Sequence, residues 1–310
     1  HTLHMKFFIK FICYKIIDVI LKFETKISFN GVAYFILKWE ATRNYRYFMH
    51  KDINWNDPTD LNEKINWLKF HSESKRWSDL TDKYKVREFI KEKCKQDILI
   101  PLYGVWDKAE DIDFDKLPSS FVLKTNHGSG DVIVVKDKSC LDVKRTVKKV
   151  NEFLKMPYGI ASGEPHYLFI KPKVVAEKLL LPEDNFSSSL IDYKIWCFNG
   201  EPHHIWACYN RTKKEVKVET HDLEWNYHPE CSVFNNHYVD GGGVVPKPNN
   251  LNEMLDIARI LSRGFKQVRV DLYNQGGKIY FGEMTFTSNG GYMNFYTQEF
   301  LNKMGNQILI

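Results

Sequence analysis

Six cysteines (Cys13, Cys94, Cys140, Cys197, Cys208, Cys231) form no CxxC pair and keep no regular spacing. That argues against a zinc site and against a disulfide framework, and fits a reducing, cytoplasmic compartment. The P-loop pattern GxxxxGK[ST] is missing, and GxGxxG does not fit either. No uninterrupted apolar run reaches the roughly 18 residues of a spanning helix. The most hydrophobic stretch, KFFIKFICYKIIDVILKF after Met5, carries a Lys or Asp every few residues and no small-residue cleavage site. The four residues before Met5 read as a tag remnant. Internal repeats and low-complexity tracts are also missing. The net charge is only +5, and residues 1–51 hold nine Lys/Arg against three Asp/Glu, so the remaining chain is slightly acidic. A near-neutral body excludes the electrostatic footprint of a nucleic-acid-binding globule.

At 310 residues, with 43% hydrophobic and 27% charged residues, the chain is an ordinary globular protein of one large domain or a few lobes. Aromatics reach 15%, which suits a large core and also the stacking surfaces that flat ligands use. In the basic N-terminal arm, Lys15, Asp18 and Lys22 share one helical face. Such an amphipathic helix can lie on an anionic membrane, or dock on the body or on a second subunit.

Helical patterning covers Glu63–Phe70, with Asp60 or Thr59 as cap and Glu63 in the first turn, and then roughly Asp79–Lys95. From Phe121 the texture changes to strands. FVLK and VIVVKD flank the turn NHGSGD; VVAEKLL, DYKIWCF and HHIWACY follow. Residues 140–155 read as a helix with Val143, Val147, Val150 and Leu154 at helical spacing, and another helix spans about Asn252–Gly264. The last strands, VRVDLYN and KIYFGEMTF, flank Gln275–Gly277. This mixture predicts an α+β class with antiparallel hairpins.

Four segments can carry chemistry. In FVLKTNHGSGDVIVV, a glycine turn lets backbone N–H groups close over phosphate oxygens, and Lys124 can add a point charge. An ordinary hairpin with a solvated lysine has the same pattern. In VVAEKLLL, Glu177 and Lys178 sit in an apolar strand that can wall a purine slot or simply be buried. In DYKIWCFNGEP, Asp192 and Lys194 share one strand face. They form either a solvated pair or a carboxylate for a ribose hydroxyl and an ammonium for an anionic substrate. In VRVDLYNQGGKIYFGEMTFTSNGGY, Arg269 and Asp271 share one face of the first strand, Glu283 and Thr285 one face of the second. Asp271 and Glu283 brought together repel one another, and a divalent cation offsets the repulsion. Arg269 beside them can stabilise a transferring phosphoryl group.

In this order the segments resemble the ATP-grasp superfamily, and within it the teichuronopeptide-biosynthesis, TupA-like branch. The matching stretches are LNEKINWLKF, LTDKYKVREFI, IPLYGVW, IDFDKLPSSFVLKTNHGSGDVIVVKDKS, DYKIWCFNGEP and VRVDLYNQGGKIYFGEMTFT, together spanning Leu61–Thr287. The resemblance implies an ATP-grasp fold of two α/β lobes clasping ATP. Residues 1–60 would be the arm and linker and 61–115 a helical region. Residues 116–182 would form the small lobe with its glycine loop, and 183–310 the C-terminal lobe with the metal site.

By position, the resemblance makes Lys83 and Lys124 the nucleotide lysines, with His127, Gly128, Ser129 and Gly130 the flexible loop. Glu177, Lys178 and Leu179 match the adenine hinge, and Asp192 the ribose-contacting acid. Arg269, with Lys194, is assigned to catalysis. Asp271 and Glu283 match magnesium ligands; Thr285 stands where many ATP-grasp ligases have Asn, with Asn289 as a substitute. The activity implied uses ATP and Mg²⁺ to turn a carboxylate into an acyl phosphate that an amine attacks. The context implied is cell-surface polysaccharide synthesis, with a uronic acid or glycan carboxylate and an amino acid or amine as partners. A glycan acceptor on lipid would bring the enzyme to the inner face of the membrane. A kinase on the same fold, a glycosyltransferase using the overlapping DxD run at Asp111, Asp113 and Asp115, and a non-catalytic glycan-binding protein are the alternatives.

Overall fold

A computed structural model describes residues 31–72, 74–95, 97–182 and 186–310. The amphipathic reading of residues 5–30 lies outside them. The chain divides into two compact units. The first comprises residues 1–53, 66–84 and 102–179, the second 54–65, 85–101 and 180–310.

The first unit holds helix α1 (Val32–Met49), most of α2 (Leu61–His71), α3 (Ser74–Thr81) and α5 (Val143–Leu154). Its sheet comprises β1 (Leu102–Trp106), β2 (Phe121–Thr125), β3 (Val132–Val135) and β4 (Val174–Glu177), in the order β1-β4-β2-β3 and antiparallel throughout. The core under it gathers Phe121, Leu123, Val135, Val174 and Ala176 with Val150 of α5. The alternation in FVLKT makes this possible, since Phe121, Leu123 and Thr125 are buried while Val122 and Lys124 are partly open. Asp142 starts α5 by accepting from Arg145 N at 2.9 Å. Of the apolar row expected along this helix, Val150 is buried and Val147 and Leu154 pack, whereas Val143 is exposed.

The second unit holds α4 (Val86–Lys93), α6 (Leu251–Ser262) and α7 (Gln298–Gly305), with strands β5 (Asp192–Phe198), β6 (Glu201–Tyr209), β7 (Val216–His221), β8 (Tyr238–Asp240), β9 (Gln267–Gln275) and β10 (Lys278–Thr285). Their order is β10-β9-β5-β6-β7-β8; only β7 and β8 run parallel. Ile195, Cys197, Val268 and Val270 are buried, and Cys197 Sγ donates to Ala258 O of α6 at 3.9 Å, which identifies the face that α6 covers.

Two local features at the helices follow from side-chain competition for the backbone. Asp60 caps α2 by accepting from Glu63 N at 2.9 Å, while Glu63 accepts in return from Thr59 N and Oγ1 at 2.9 and 3.0 Å. The continuous helix expected over 79–95 is broken at residues 82–85. There Asp82 Oδ1 accepts from Tyr84 N at 2.9 Å and Lys83 N donates to Asn126 O at 3.1 Å, which withdraws both amides from a helical ladder.

Candidate functional site

In the first unit the glycine turn is the junction of β2 and β3. Thr125 and Asp131 close its base through Thr125 N to Asp131 O at 3.2 Å and Thr125 Oγ1 to Asp131 Oδ2 at 3.1 Å. Asn126 ties the turn to the chain before β4: its Oδ1 accepts from Lys173 N at 2.7 Å and its Nδ2 donates to Lys171 O at 3.1 Å. Gly130 takes φ +80, the left-handed region that glycine enters without strain, and a Cβ on Gly128 would stand 2.0 Å from Asp131 Oδ2. Ser129 and Gly130 are exposed; His127 and Gly128 are buried.

Two lysines face this turn region. Lys83 Nζ donates to Gly128 O at 2.5 Å, and Lys124 Nζ pairs with Glu177 Oε2 at 2.5 Å. Both side chains of that pair are largely buried. Glu177 closes β4, paired on one side with Leu102 and on the other with Val122; Lys178 and Leu179 follow beyond the ladder, Lys178 exposed. Sequence reasoning left out Asn126, Thr125 and Asp131. Their signal was present in TNHGSGD as residues that bond to turn backbone.

In the second unit, one face of three adjacent strands collects the remaining residues. The antiparallel registers set Lys194 opposite Asp271 and Asp271 opposite Glu283, and in the next row Trp196 opposite Arg269 and Arg269 opposite Thr285. The hairpin shifts register between Phe281 and Glu283, where Gly282 forms a bulge. Without that extra residue Glu283 would stand opposite Val270 and point to the face that α6 covers. A Cβ on Gly282 would come within 2.9 Å of Asp271 O, so a glycine fits where the backbones draw together.

Arg269 is the hub of this face. Its Nε and Nη2 donate to Asp271 Oδ1 and Oδ2 at 2.7 and 2.8 Å, a bidentate pair. Nη2 also reaches Glu283 Oε1 and Thr285 Oγ1, each at 3.2 Å, and Nη1 donates to Ser288 Oγ at 2.6 Å. Thr285 Oγ1 in turn donates to Glu283 Oε1 at 3.0 Å. Lys194 Nζ lies 2.5 Å from both Asp271 Oδ2 and Asp192 Oδ2. Asp192 Oδ1 is buried with no hydrogen-bond partner. Asn289 stays apart from this network: in its left-handed turn (φ 46) it is exposed, and its Nδ2 donates to Tyr292 O at 2.8 Å. Ser288, one residue earlier, was not singled out from sequence and bonds the hub.

Charge on this face is finely divided. Burial works against the Lys194 ammonium, yet Asp192 and Asp271 outweigh it and hold its pKa well above the ordinary lysine value. Burial likewise opposes Arg269, and Asp271 more than compensates. Asp271 resists its own burial because Arg269 and Lys194 hold its carboxyl below the usual range. At Asp192, burial prevails: Lys194 pulls down, Asp271 pushes up, and the carboxyl ends raised. Asp192 also raises the Tyr273 hydroxyl, with burial adding to it. The repulsion between Asp271 and Glu283, which sequence reasoning assigned to a divalent cation, is thus met first by two protein cations.

The donor set still fits magnesium. Asp271 and Glu283 supply hard oxygens. An ionised carboxylate has about four acceptor positions; Asp271 gives three to Arg269 and Lys194, and Glu283 Oε2 accepts from no described residue. The Glu283 side chain is 41% exposed, so that oxygen is open to a ligand. Asp111, Asp113 and Asp115 are all exposed, and Asp113 pairs with Lys116 at 2.7 Å. That is the solvated-loop arrangement, with no strand end to organise a DxD site.

Among the described residues no helix is long and apolar enough to cross a membrane. No curated protein is significantly similar to the chain. Solved structures that resemble it include the ATP complex of D-alanine–D-alanine ligase from Bacillus anthracis (17% identity, TM-score 0.41), covering 74% of this chain and 58% of that one. An L-amino acid ligase from Bacillus licheniformis shares 13% identity at TM-score 0.45, over 74% of this chain and 49% of that one. D-alanine–D-alanine ligase from Helicobacter pylori shares 13% at TM-score 0.42, over 81% and 67%. The chain therefore spans about half to two thirds of the length of these proteins. The family description TupA-like ATPgrasp matches residues 63–309, a stretch holding both the glycine turn and the Arg269 face, and the chain belongs to this ATP-grasp family.

Proposed function

We propose that the protein is an ATP- and Mg-dependent carboxylate–amine ligase acting in cell-surface polysaccharide synthesis. The observation that carries the reading is the Arg269 hub: two acids, two cations and a hydroxyl on one strand face, with an open carboxylate oxygen on Glu283. Lys83, Lys124, His127 and the backbone of Gly128–Gly130 would bind phosphates, and Glu177, Lys178 and Leu179 the adenine. Asp192 would take the ribose. Magnesium, held by Asp271 and Glu283 with Thr285 orienting water, would neutralise phosphate charge.

In this reaction a carboxylate oxygen of the acceptor attacks the γ-phosphorus, the bond to the β-phosphate oxygen breaks, and ADP leaves. An amine nitrogen then attacks the acyl carbon; phosphate departs and the nitrogen gives up a proton. Arg269 holds its guanidinium where negative charge gathers, oriented before substrate arrives by Asp271 and Ser288. Lys194, kept charged by its two carboxylates, would steady the anionic substrate. Support for a uronic acid or glycan carboxylate, joined to an amino acid or amine, is the family membership.

The test is a screen for ADP release with Mg-ATP against uronic acids paired with amino acids. Free phosphate and an amide product are expected, and Asp271→Asn or Glu283→Gln should abolish ADP release in a folded protein. Turnover surviving both changes would remove the assigned metal site, and a phosphorylated sugar as product would make the enzyme a kinase.

A further inference from the structure

We propose that the outward face of α1 is a docking surface for anionic lipid. This helix is apolar on two opposite sides. Ala33, Leu37, Ala41 and Tyr45, spaced by four, are fully buried, and Ala33 and Leu37 pack with Ile160 and Leu168 of the first unit. Two residues further on, about 200° around the helix, a second row is spaced the same way: Phe35, Trp39, Arg43 and Tyr47. Phe35 is 70% exposed, Trp39 59% and Tyr47 72%. A helix that serves only its own core keeps polar residues on the far side. Three large aromatics there, along roughly 18 Å of axis, are left without a role in the fold.

Their chemistry selects the partner. Trp, Tyr and Phe are the side chains that settle at a headgroup boundary, one end apolar and the other wet. Arginine accompanies them: the Arg43 guanidinium lies 5.1 Å over the Trp39 ring, and Arg46 stands on the same outward arc. Lys38 and Lys51 add charge, while Glu40 is buried. This is the part of the chain where positive charge is concentrated, since the residues after 51 are slightly acidic. The preceding stretch, MKFFIKFICYKIIDVILKF, repeats the same combination of aromatic, aliphatic and lysine residues in sequence. With no described helix able to span a bilayer, the contact is peripheral, the rings at the acyl boundary and the basic groups among anionic headgroups.

The experiment uses the full chain and sedimentation with vesicles of phosphatidylcholine, with and without phosphatidylglycerol. Binding is expected to the phosphatidylglycerol vesicles and to weaken with added salt. Phe35→Ser with Trp39→Ser should lower it by at least about tenfold, and Arg43→Glu or Arg46→Glu by about fivefold or more each. Melting temperature and oligomeric state should be unchanged in the double serine variant. Absence of binding by the unaltered protein, or equal binding by the double serine variant, overturns the proposal. A dimer that falls apart in that variant would give the face to a second copy instead. The readout needs no turnover, so it stands or fails separately from the ligase reading.

Discussion

Glu283 stands directly opposite Asp271 in the β9–β10 hairpin, and one guanidinium nitrogen, Arg269 Nη2, bonds to both. Two carboxylates that would repel as neighbours are thereby joined through a cation held on the same face. The consequences can be measured.

Thr285 links Arg269 to Glu283 through its hydroxyl. Thr285→Val keeps shape and removes both bonds, and hydrogen bonds to charged groups contribute about 1.5–3 kcal/mol. ADP release should therefore fall by roughly ten- to a hundredfold, with little change in melting temperature because the site is half open. Thr285→Ser should retain most activity. Equal rates for the Val and Ser variants would show that the hydroxyl has no part in the reaction.

Gly282→Ala tests the bulge. The added methyl meets Asp271 O at 2.9 Å and the Tyr273 ring at 3.3 Å. Relieving that contact moves backbone, at a cost of about 1–3 kcal/mol, and shifts Glu283 away from Asp271. Chemical denaturation should register the loss, and ADP release should drop well beyond what instability explains. Unchanged activity would mean that the Asp271–Glu283 register is not needed.

Lys194→Met leaves Asp192 and Asp271 facing each other without the ammonium between them. Removing one partner of a buried pair costs about 3–5 kcal/mol. The Asp192 carboxyl is already raised by burial and by Asp271, even against Lys194. Without Lys194 it rises further above its unfolded value, so the folded state binds a proton that the unfolded state releases. Stability of this variant should therefore increase as pH falls from neutrality toward that raised value, and Lys194→Met with Asp192→Asn should remove the dependence. Melting curves across pH will read this; a flat profile for the single variant would contradict the charge assignment.

His166 supplies a pH test in the first unit. It is fully buried, neither ring nitrogen has a hydrogen-bond partner, and burial, with the nearby Lys69 charge, lowers its pKa from 6.5 to about 3. Above pH 6.5 both states are neutral and the residue contributes no slope. Between 6.5 and about 3 the unfolded chain takes a proton that the folded protein refuses, so stability is lost as pH falls. His166→Leu, with no bond to lose, should flatten the melting profile in that window by a few kcal/mol. A profile as steep as that of the unaltered protein would place the acid sensitivity elsewhere.

What the sequence by itself determined is whatever depends on neighbours along the chain. The period of two in DYKIWCF and VRVDLYN puts Asp192 with Lys194 and Arg269 with Asp271 on shared faces, and the structure has both pairs bonded. The cap at Asp60 with Glu63, and the glycine turn after FVLKT, were legible for the same local reason. Tertiary structure decided the rest. Strict alternation would have turned Glu283 away from Asp271; the Gly282 bulge, set by backbone contact with β9, brought it round. The break at 82–85 depends on the carbonyl of Asn126, more than forty residues along the chain, and the short helix Gln298–Gly305 has too little pattern to read alone. That Arg269 and Lys194 offset the paired acids before any metal does is a matter of which strands lie side by side. Alternation fixes the side of a strand a residue faces; register and partner strand fix what it meets there.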